Sequence, residues 1–365
     1  APSLIQDFKT AYWETYQDNW EKFLTNFDVG LGLWTMTANR VEAAPRLLGD
    51  KSPFLKVLEV AGIELGPLEE SAPRLIRPWV RLTLNYDKWR KPEFQEAFLT
   101  WLKKEKEKGE AAGFFKRAAG EAKELAQSAL GKDFQASEDE LKAIGLWLDL
   151  EENLRQVPRI LTDPGKSHAA AKEAFTEGRA TNASVNNILK ARWDLDRLKE
   201  TVGRGRLEEQ PFWTVFDRLI DFGWRTELEV AGEYLQKQWE KDVLSEVTDL
   251  EGWSKMEALL YGEKSKVWEF IDGPAKPFLE KTRDGGYDPK VLLDQGVPFS
   301  EDFLNMLAGA RKGRQQLTSG EGALDVRLDA RPTDVNRQAL TGIERTTVKL
   351  ACGAEVQVLE HFNFP

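Results

Sequence analysis

Three adjacent carboxylate pairs, Glu69/Glu70, Glu151/Glu152 and Glu208/Glu209, stand in a chain that also carries 13 tryptophans. Cleaving a glycosidic bond takes two carboxylates about 5 to 9.5 Å apart across the bond, and indole rings give sugars a flat apolar surface. With 61 acidic residues in 365, adjacent pairs arise by chance, and helical periodicity puts most of them on polar faces. The two histidines, His168 and His361, lie far apart in sequence, and no nucleophile-elbow motif is present. Two histidines do not make a clustered zinc site without carboxylate help. Cys352 is the only cysteine, so it closes no disulfide within the chain. Beside Gly353 it reads as a small filler at a hairpin turn. Gly165-Lys166-Ser167 matches the end of a phosphate loop, but Ile160 occupies the position of its first glycine. The segment reads instead as an exposed turn that caps a helix over 167–177, with His168 exposed in its first turn. No catalytic, cofactor-binding or metal-binding residue is assigned, no cofactor is implied, and the expected class is not an enzyme. The alternative is a Trp-rich glycan-binding protein or a glycosidase that uses paired carboxylates.

Composition narrows the class. Apolar residues make up 41% and charged residues 31%, the balance of a soluble globular chain. A net charge of −10 argues against nucleic acid, which needs a basic stripe to displace counterions. No apolar run approaches the roughly 18 residues of a membrane span. The first residue is Ala rather than Met, and the expectation is a processed or excised chain whose membrane anchor lies outside it.

The elements that would position side chains are mostly helical. Ile5, Phe8, Tyr12, Tyr16, Trp20, Leu24 and Phe27 recur at three- and four-residue steps and share one face of a first helix, with Ser3 as its N-cap. Ser52-Pro53 signals an N-cap and first helical residue. A loop is expected over 62–78, two helices split near Pro92, and an Ala-rich helix over 111–130. Ser137 and Glu140 form a capping-box pattern ahead of Leu141, Ile144, Leu148 and Leu150. Thr248 and Glu251 repeat that pattern. Trp13, Trp20, Trp101, Trp193 and Trp239 fall at or near apolar-periodic positions and read as packing residues. A helix is expected to open at Asp288-Pro289, and a last one at Ser300 carries Phe303, Leu304, Leu307 and Ala310. Beyond Gly320 and Gly322 the period changes to alternation: Val326 and Leu328, Thr346, Val348 and Leu350, then Val356 and Val358. The fold class is therefore mainly α, a multi-helical elongated array with a small C-terminal antiparallel β segment, or α+β overall. The Gly/Arg-rich stretch 203–206 marks a linker. The expected division is 1–203, a first helical region; 204–320, a second; and 321–365, the start of a β domain.

Four stretches, in this order, carry a family likeness. They are Tyr12-Trp13 with Trp20 to Leu24, the segment from Lys51 through Ser52-Pro53 to Leu58, Trp239 with Val243, and Thr346 to Leu350 followed by Phe362-Asn363-Phe364-Pro365. This order resembles the periplasmic C-terminal region of the IcmF/TssM proteins of bacterial type VI secretion systems, over roughly residues 4 to 365. Phe364 stands where the family carries Trp, and its Arg-Tyr-Pro-Phe segment is not found intact. The resemblance implies a scaffold of the secretion membrane complex, located in the periplasm and anchored in the inner membrane. It implies TssL/DotU-like inner-membrane partners, a TssJ-like outer-membrane lipoprotein and homo-oligomers in the assembled complex. No contact residue carries over. It also implies that the β domain continues past Pro365, and that residues 1–365 hold the lipoprotein weakly or not at all.

Overall fold

The computed structural model describes residues 2–108, 137–202, 210–247, 259–260, 262, 265–283, 285–319, 345–352 and 355–362. The fold is mainly α with small antiparallel β elements. The chain divides into two units, Ala1–Ser319 and Gly320–Pro365. The expected division at 203/204 falls inside the first unit.

In the first unit, α1 (Pro2–Thr25) leads through a 3₁₀ turn, Phe27–Leu33, to α2 (Thr37–Leu47) and α3 (Pro53–Leu65). A single-turn α4 (Leu68–Ser71) and a 3₁₀ turn, Pro73–Leu75, fill much of the expected loop before α5 (Pro78–Trp89) and α6 (Pro92–Lys108). Then come α7 (Glu138–Leu161), α8 (Pro164–Glu177), α9 (Asn187–Val202) and α10 (Gln210–Trp239). The unit ends with α11 (Lys266–Asp272), the strands β1 (Leu279–Lys281) and β2 (Tyr287–Pro289), and α12 (Glu301–Ser319). The Ala-rich segment 111–130, the 203–206 stretch, the Thr248/Glu251 pattern and the alternation at Val326 and Leu328 lie outside the described residues.

The axis of this unit is α10. At 30 residues it spans about 45 Å. It buries Phe212, Val215, Phe216, Leu219, Ile220, Trp224, Leu228, Ala231 and Leu235. A helix apolar around so much of its circumference has to be surrounded, and α1, α2, α3, α5, α7, α8 and α9 all pack on it. That shared core explains why 203/204 is no domain boundary. Gly223 allows a close approach of α9: a Cβ there would sit 2.7 Å from Ile188 Cδ1.

Helix starts follow local chemistry. At α7 the Glu140 N–H donates to Ser137 Oγ at 3.3 Å, and the Ser137 N–H donates to Glu140 Oε2 at 2.9 Å, which satisfies two otherwise unpaired donors. Leu141, Ile144, Leu148 and Leu150 are all buried. At α8 the cap is Asp163, whose Oδ1 accepts from the N–H groups of Gly165 and Lys166. Lys166 and Ser167 therefore belong to the first turn of a helix rather than to an exposed loop. Ser52 precedes Pro53 as expected, yet its hydroxyl makes no cap bond and is buried without a partner. Ser3 lies inside α1, not at its cap.

The apolar face of α1 is used unevenly. Its C-terminal half is docked: the buried Gln17 donates to Leu75 O at 3.1 Å and accepts from the Arg77 N–H at 3.1 Å. The Arg77 guanidinium pairs with Asp18 and Glu21. Trp13, Tyr16, Trp20 and Phe27 pack against the core, while Leu4, Ile5, Phe8 and Tyr12 stay exposed.

The expected helix at Asp288-Pro289 is a strand instead. β1 and β2 pair antiparallel, with Leu279 opposite Pro289 and Lys281 opposite Tyr287. A proline lacks the N–H that a ladder needs but is tolerated at the end of an edge strand. A tight turn follows, with positive φ at Leu293 and Asp294. The second unit contains one described hairpin, β3 (Arg345–Cys352) with β4 (Glu355–Phe362), in which Cys352 pairs with Glu355 next to the turn.

Candidate functional site

The most chemically loaded place in the first unit is a cleft of about 400 Å³. Its walls come from five places: the α2–α3 turn, α3, the α5–α6 corner, α7 and α10. Pro92 makes the corner, because a proline cannot continue the preceding helix and pushes the residue before it out of helical geometry. The chain turns at Arg90 and Lys91, and the first turn of α6 brings Gln95 to the cleft that Arg90 lines. From α7 come Trp147, Glu151 and Arg155, spaced i, i+4, i+8 on one face. Asp50 enters from the α2–α3 turn, and Leu47, Leu48, Leu55, Leu148, Leu154 and Leu219 supply the apolar wall.

Glu151 is the electrostatic centre. Tyr86 Oη donates to Glu151 Oε1 at 3.1 Å. Burial drives the Glu151 pKa up, to about 7, and the negative charge of Asp50 adds to the rise. The positive charge of Arg90, the Tyr86 hydrogen bond and the nearby Trp147 indole N–H pull the other way. That indole N–H lies close to the carboxyl without reaching hydrogen-bond geometry, so Trp147 Nε1 is buried and unpartnered. Although Glu151 as a residue is half-buried and lines the cleft, the protein packed around its carboxyl dominates its titration. Burial also raises the Tyr86 hydroxyl well above its ordinary value, which keeps it a donor.

The two arginines are engaged. Arg90 Nη1 lies 3.1 Å from Glu59 Oε2, and its guanidinium sits over the Tyr86 ring. Arg155 pairs with Asp50 at 2.5 Å and with Glu152 at 2.8 Å. Gln95 is different. It is 1% exposed and lines the cleft, and its Oε1 has no hydrogen-bond partner.

The carboxylate pairs separate under this geometry. Glu69 and Glu70 are exposed on α4, and Glu208/Glu209 lie outside the described residues. Glu151 and Glu152 diverge because neighbours on a helix point about 100° apart: one faces the cleft, the other bonds Arg155 and Gln156. Glu151 is therefore not on a polar face as expected. Trp147 is 2% exposed and packs edge-on against Tyr86, with ring centres 5.4 Å apart. It offers no open indole face to a stacked sugar. Trp13, Trp20, Trp101, Trp193 and Trp239 pack against the core as partly buried residues, whereas the deeply buried tryptophans are Trp79, Trp89, Trp147 and Trp224.

His168 also departs from expectation. It is half-buried rather than exposed, its ring tilted against Tyr234 with centres 4.6 Å apart and edge-on to Phe278 at 5.4 Å. Its Nε2 donates to Pro274 O at 3.1 Å, and burial lowers its pKa. It joins the α8 start to the segment after α11.

A second carboxyl went unnoticed in the sequence. Glu227 on α10 is fully buried, and burial raises its pKa to about 8, against a hydrogen bond from Asn186 that lowers it. Asn186 Nδ2 donates to Glu227 Oε1 at 2.6 Å and to Ala170 O at 3.1 Å. Asn186 Oδ1 in turn accepts from the N–H groups of Ile188 and Leu189 and caps α9. Glu227 Oε2 has no partner.

Among the described residues, no cluster of three or more His, Cys, Asp or Glu could hold a metal ion, and no helix is long and apolar enough to cross a membrane. Compared with known proteins, the chain matches no protein-family model, no curated protein and no solved structure.

Proposed function

We propose that this chain is a protein-interaction scaffold: the periplasmic part of a type VI secretion membrane complex. It would link an inner-membrane anchor and TssL/DotU-like partners to a TssJ-like outer-membrane lipoprotein, as a homo-oligomer in the assembled complex. The ordered likeness of its Trp-rich first helix, Ser-Pro segment, Trp239–Val243 stretch and tail to the IcmF/TssM proteins supports the secretion assignment.

The observation that carries the scaffold reading is the free half of α1. Leu4 is 73% exposed and Phe8 70%, with Tyr12 next along the same face at i+4 spacing. Phe8, Tyr12 and Tyr16 stack in succession, with ring centres 6.5 and 5.9 Å apart. Contiguous exposed aromatics at this spacing are the kind of anchor that fills a partner's groove. A photo-crosslinker in place of Phe8 in the native full-length protein tests this. The expected product joins the protein to a secretion-system membrane component, and a crosslinker on the polar face at Asp7 gives less of it. Recovery of no such component from either position overturns the proposal.

A further inference from the structure

Helix α1 carries more apolar surface than the core uses. Side chains four residues apart drift about 40° around a helix. The series Leu4, Phe8, Tyr12, Tyr16, Trp20, Leu24 therefore winds from solvent into the core, where Leu24 is 1% exposed. From Leu4 to Tyr12 every residue but Thr10 is exposed. A helical piece of about two and a half turns is marginal without packing. Beside it runs a groove of about 350 Å³, lined by Phe8, Ala11, Tyr12, Thr15, Tyr16 and Asn19. Those positions are two consecutive i, i+3, i+4, i+7 sets, 8/11/12/15 and 12/15/16/19, and each such set is a hole that takes one side chain of a facing helix. Ala11, Thr15 and Asn19 give the holes small floors. The holes lie four residues apart, and so do Leu4 and Phe8, the two most exposed large apolar side chains of α1.

We propose that α1 pairs antiparallel with α1 of a second copy of this chain, Phe8 of each copy filling the 8/11/12/15 hole of the other and Leu4 filling the 12/15/16/19 hole. One register satisfies both insertions. The two-fold axis makes each copy give and receive the same side chains, which closes the pair. In a parallel pair the same insertions need a shift of about two turns, and nothing closes the contact. The inference deepens the scaffold reading and rests on it for its use, since it names a second copy as a partner of the free half of α1. A contact over so few turns falls short of the ~1,200 to 2,000 Å² of a stable interface, so free chains pair with a dissociation constant on the order of 10⁻⁴ M. Copies held in one assembly meet at roughly millimolar effective concentration and pair readily. Asp7 and Glu14, both exposed, lie on one flank of the stripe. Antiparallel symmetry brings like flanks together, so salt strengthens the pairing by screening them.

Sedimentation of the 365-residue chain from about 5 to 500 µM, at about 0.05 and 0.5 M salt, measures this. The expected result is a concentration-dependent dimer that gains at the higher salt. Phe8→Glu changes an exposed residue, so it leaves the thermal melt unchanged and weakens pairing at least tenfold, by the order-of-magnitude cost of an interface anchor. In a Cys352→Ser background, chains carrying Leu4→Cys and Thr15→Cys form a disulfide when mixed and oxidised, and neither does so alone. The register puts position 4 beside position 15 and holds each roughly 16 Å along the axis from its own mate. A chain that stays monomeric throughout, a dimer that Phe8→Glu leaves intact, or disulfides formed by either cysteine variant alone overturns the proposal. A monomer whose Phe8 crosslinker still captures a different secretion component overturns the pairing and leaves the scaffold reading standing. A dimer whose crosslinker captures only its own copies keeps the pairing and removes the secretion assignment.

Discussion

Glu151 and Glu227 are both carboxyls on core helices, and both have pKa values raised chiefly by burial, to about 7 and about 8. Their surroundings differ. Glu151 faces a cleft, with a tyrosine donor, an arginine nearby and an indole N–H beside it. Glu227 is sealed among α8, α9 and α10 with one partner, Asn186. A raised pKa therefore does not by itself mark a site. Burial produces it in both places, and of the two only Glu151 lies beside an opening. Glu227 has a structural task, because its partner Asn186 also caps α9 and bonds α8.

The largest effect that sharpens this contrast is at Glu227. An unfolded glutamate titrates near 4.5, and the folded group near 8. Between those values the folded state holds a proton that the unfolded chain has released. The stabilisation is fully present below about pH 4.5 and is lost as pH rises through about 8. Its full size is on the order of 4 kcal/mol. Glu227→Gln keeps a neutral side chain of the same shape at every pH. Urea unfolding at pH 5 and at pH 8.5 measures the outcome: the native chain loses stability over that interval relative to the variant, and equal slopes would show that Glu227 does not titrate in the fold.

Next in size is Asn186→Ala. The substitution removes the α9 cap, worth about 1 kcal/mol, and leaves the Glu227 carboxyl without its donor, a further 1 to 3 kcal/mol or so. A loss of roughly 2 to 4 kcal/mol is expected in urea melts at neutral pH. Made together with Glu227→Leu, the substitution costs much less than the two separate effects added, since neither then strands the other. Additive losses would mean that the two side chains do not act as a unit.

How much of this could be read from the residues follows from the same pair. The helical periods and the Ser137/Glu140 box were legible because each rests on spacing within a few residues. Both buried carboxyls were also written into the spacing. Glu151 follows Trp147 at i+4 and Leu148 at i+3, and it precedes Leu154 at i+3. Glu227 follows Gly223 and Ile220 at i+4 and i+7, and it precedes Ala231 at i+4. A glutamate on an apolar stripe was the signal, and reading Glu151 as half of an adjacent pair hid it. Gln95 and Asp50 come from other elements, so only the folded corner at Pro92 and the α2–α3 turn bring them to the same cleft. The β1/β2 hairpin escaped because three-residue strands are too short to show alternation. The period of α1 gave one apolar face correctly, but a period does not say which half of that face the core covers.

The smallest effect is the one that could break the comparison. Glu151→Gln also removes a raised carboxyl, so its share of stability is present below about pH 4.5 and fades as pH rises through about 7. The cleft admits water to one side of the group, and Arg90 and Tyr86 offset its charge. The rise from 4.5 to about 7 already contains the opposition of Arg90 and Tyr86, so solvent at the cleft mouth is the one further discount, and the difference between native and variant chains, compared at pH 5 and pH 8, should come to about 1 to 2 kcal/mol, below that at Glu227. A difference as large as that at Glu227 would mean that the cleft is as closed to solvent as the core around Asn186. The access that separates the two carboxyls would then not exist. A smaller difference than at Glu227 is the result expected of a group that faces an open cleft.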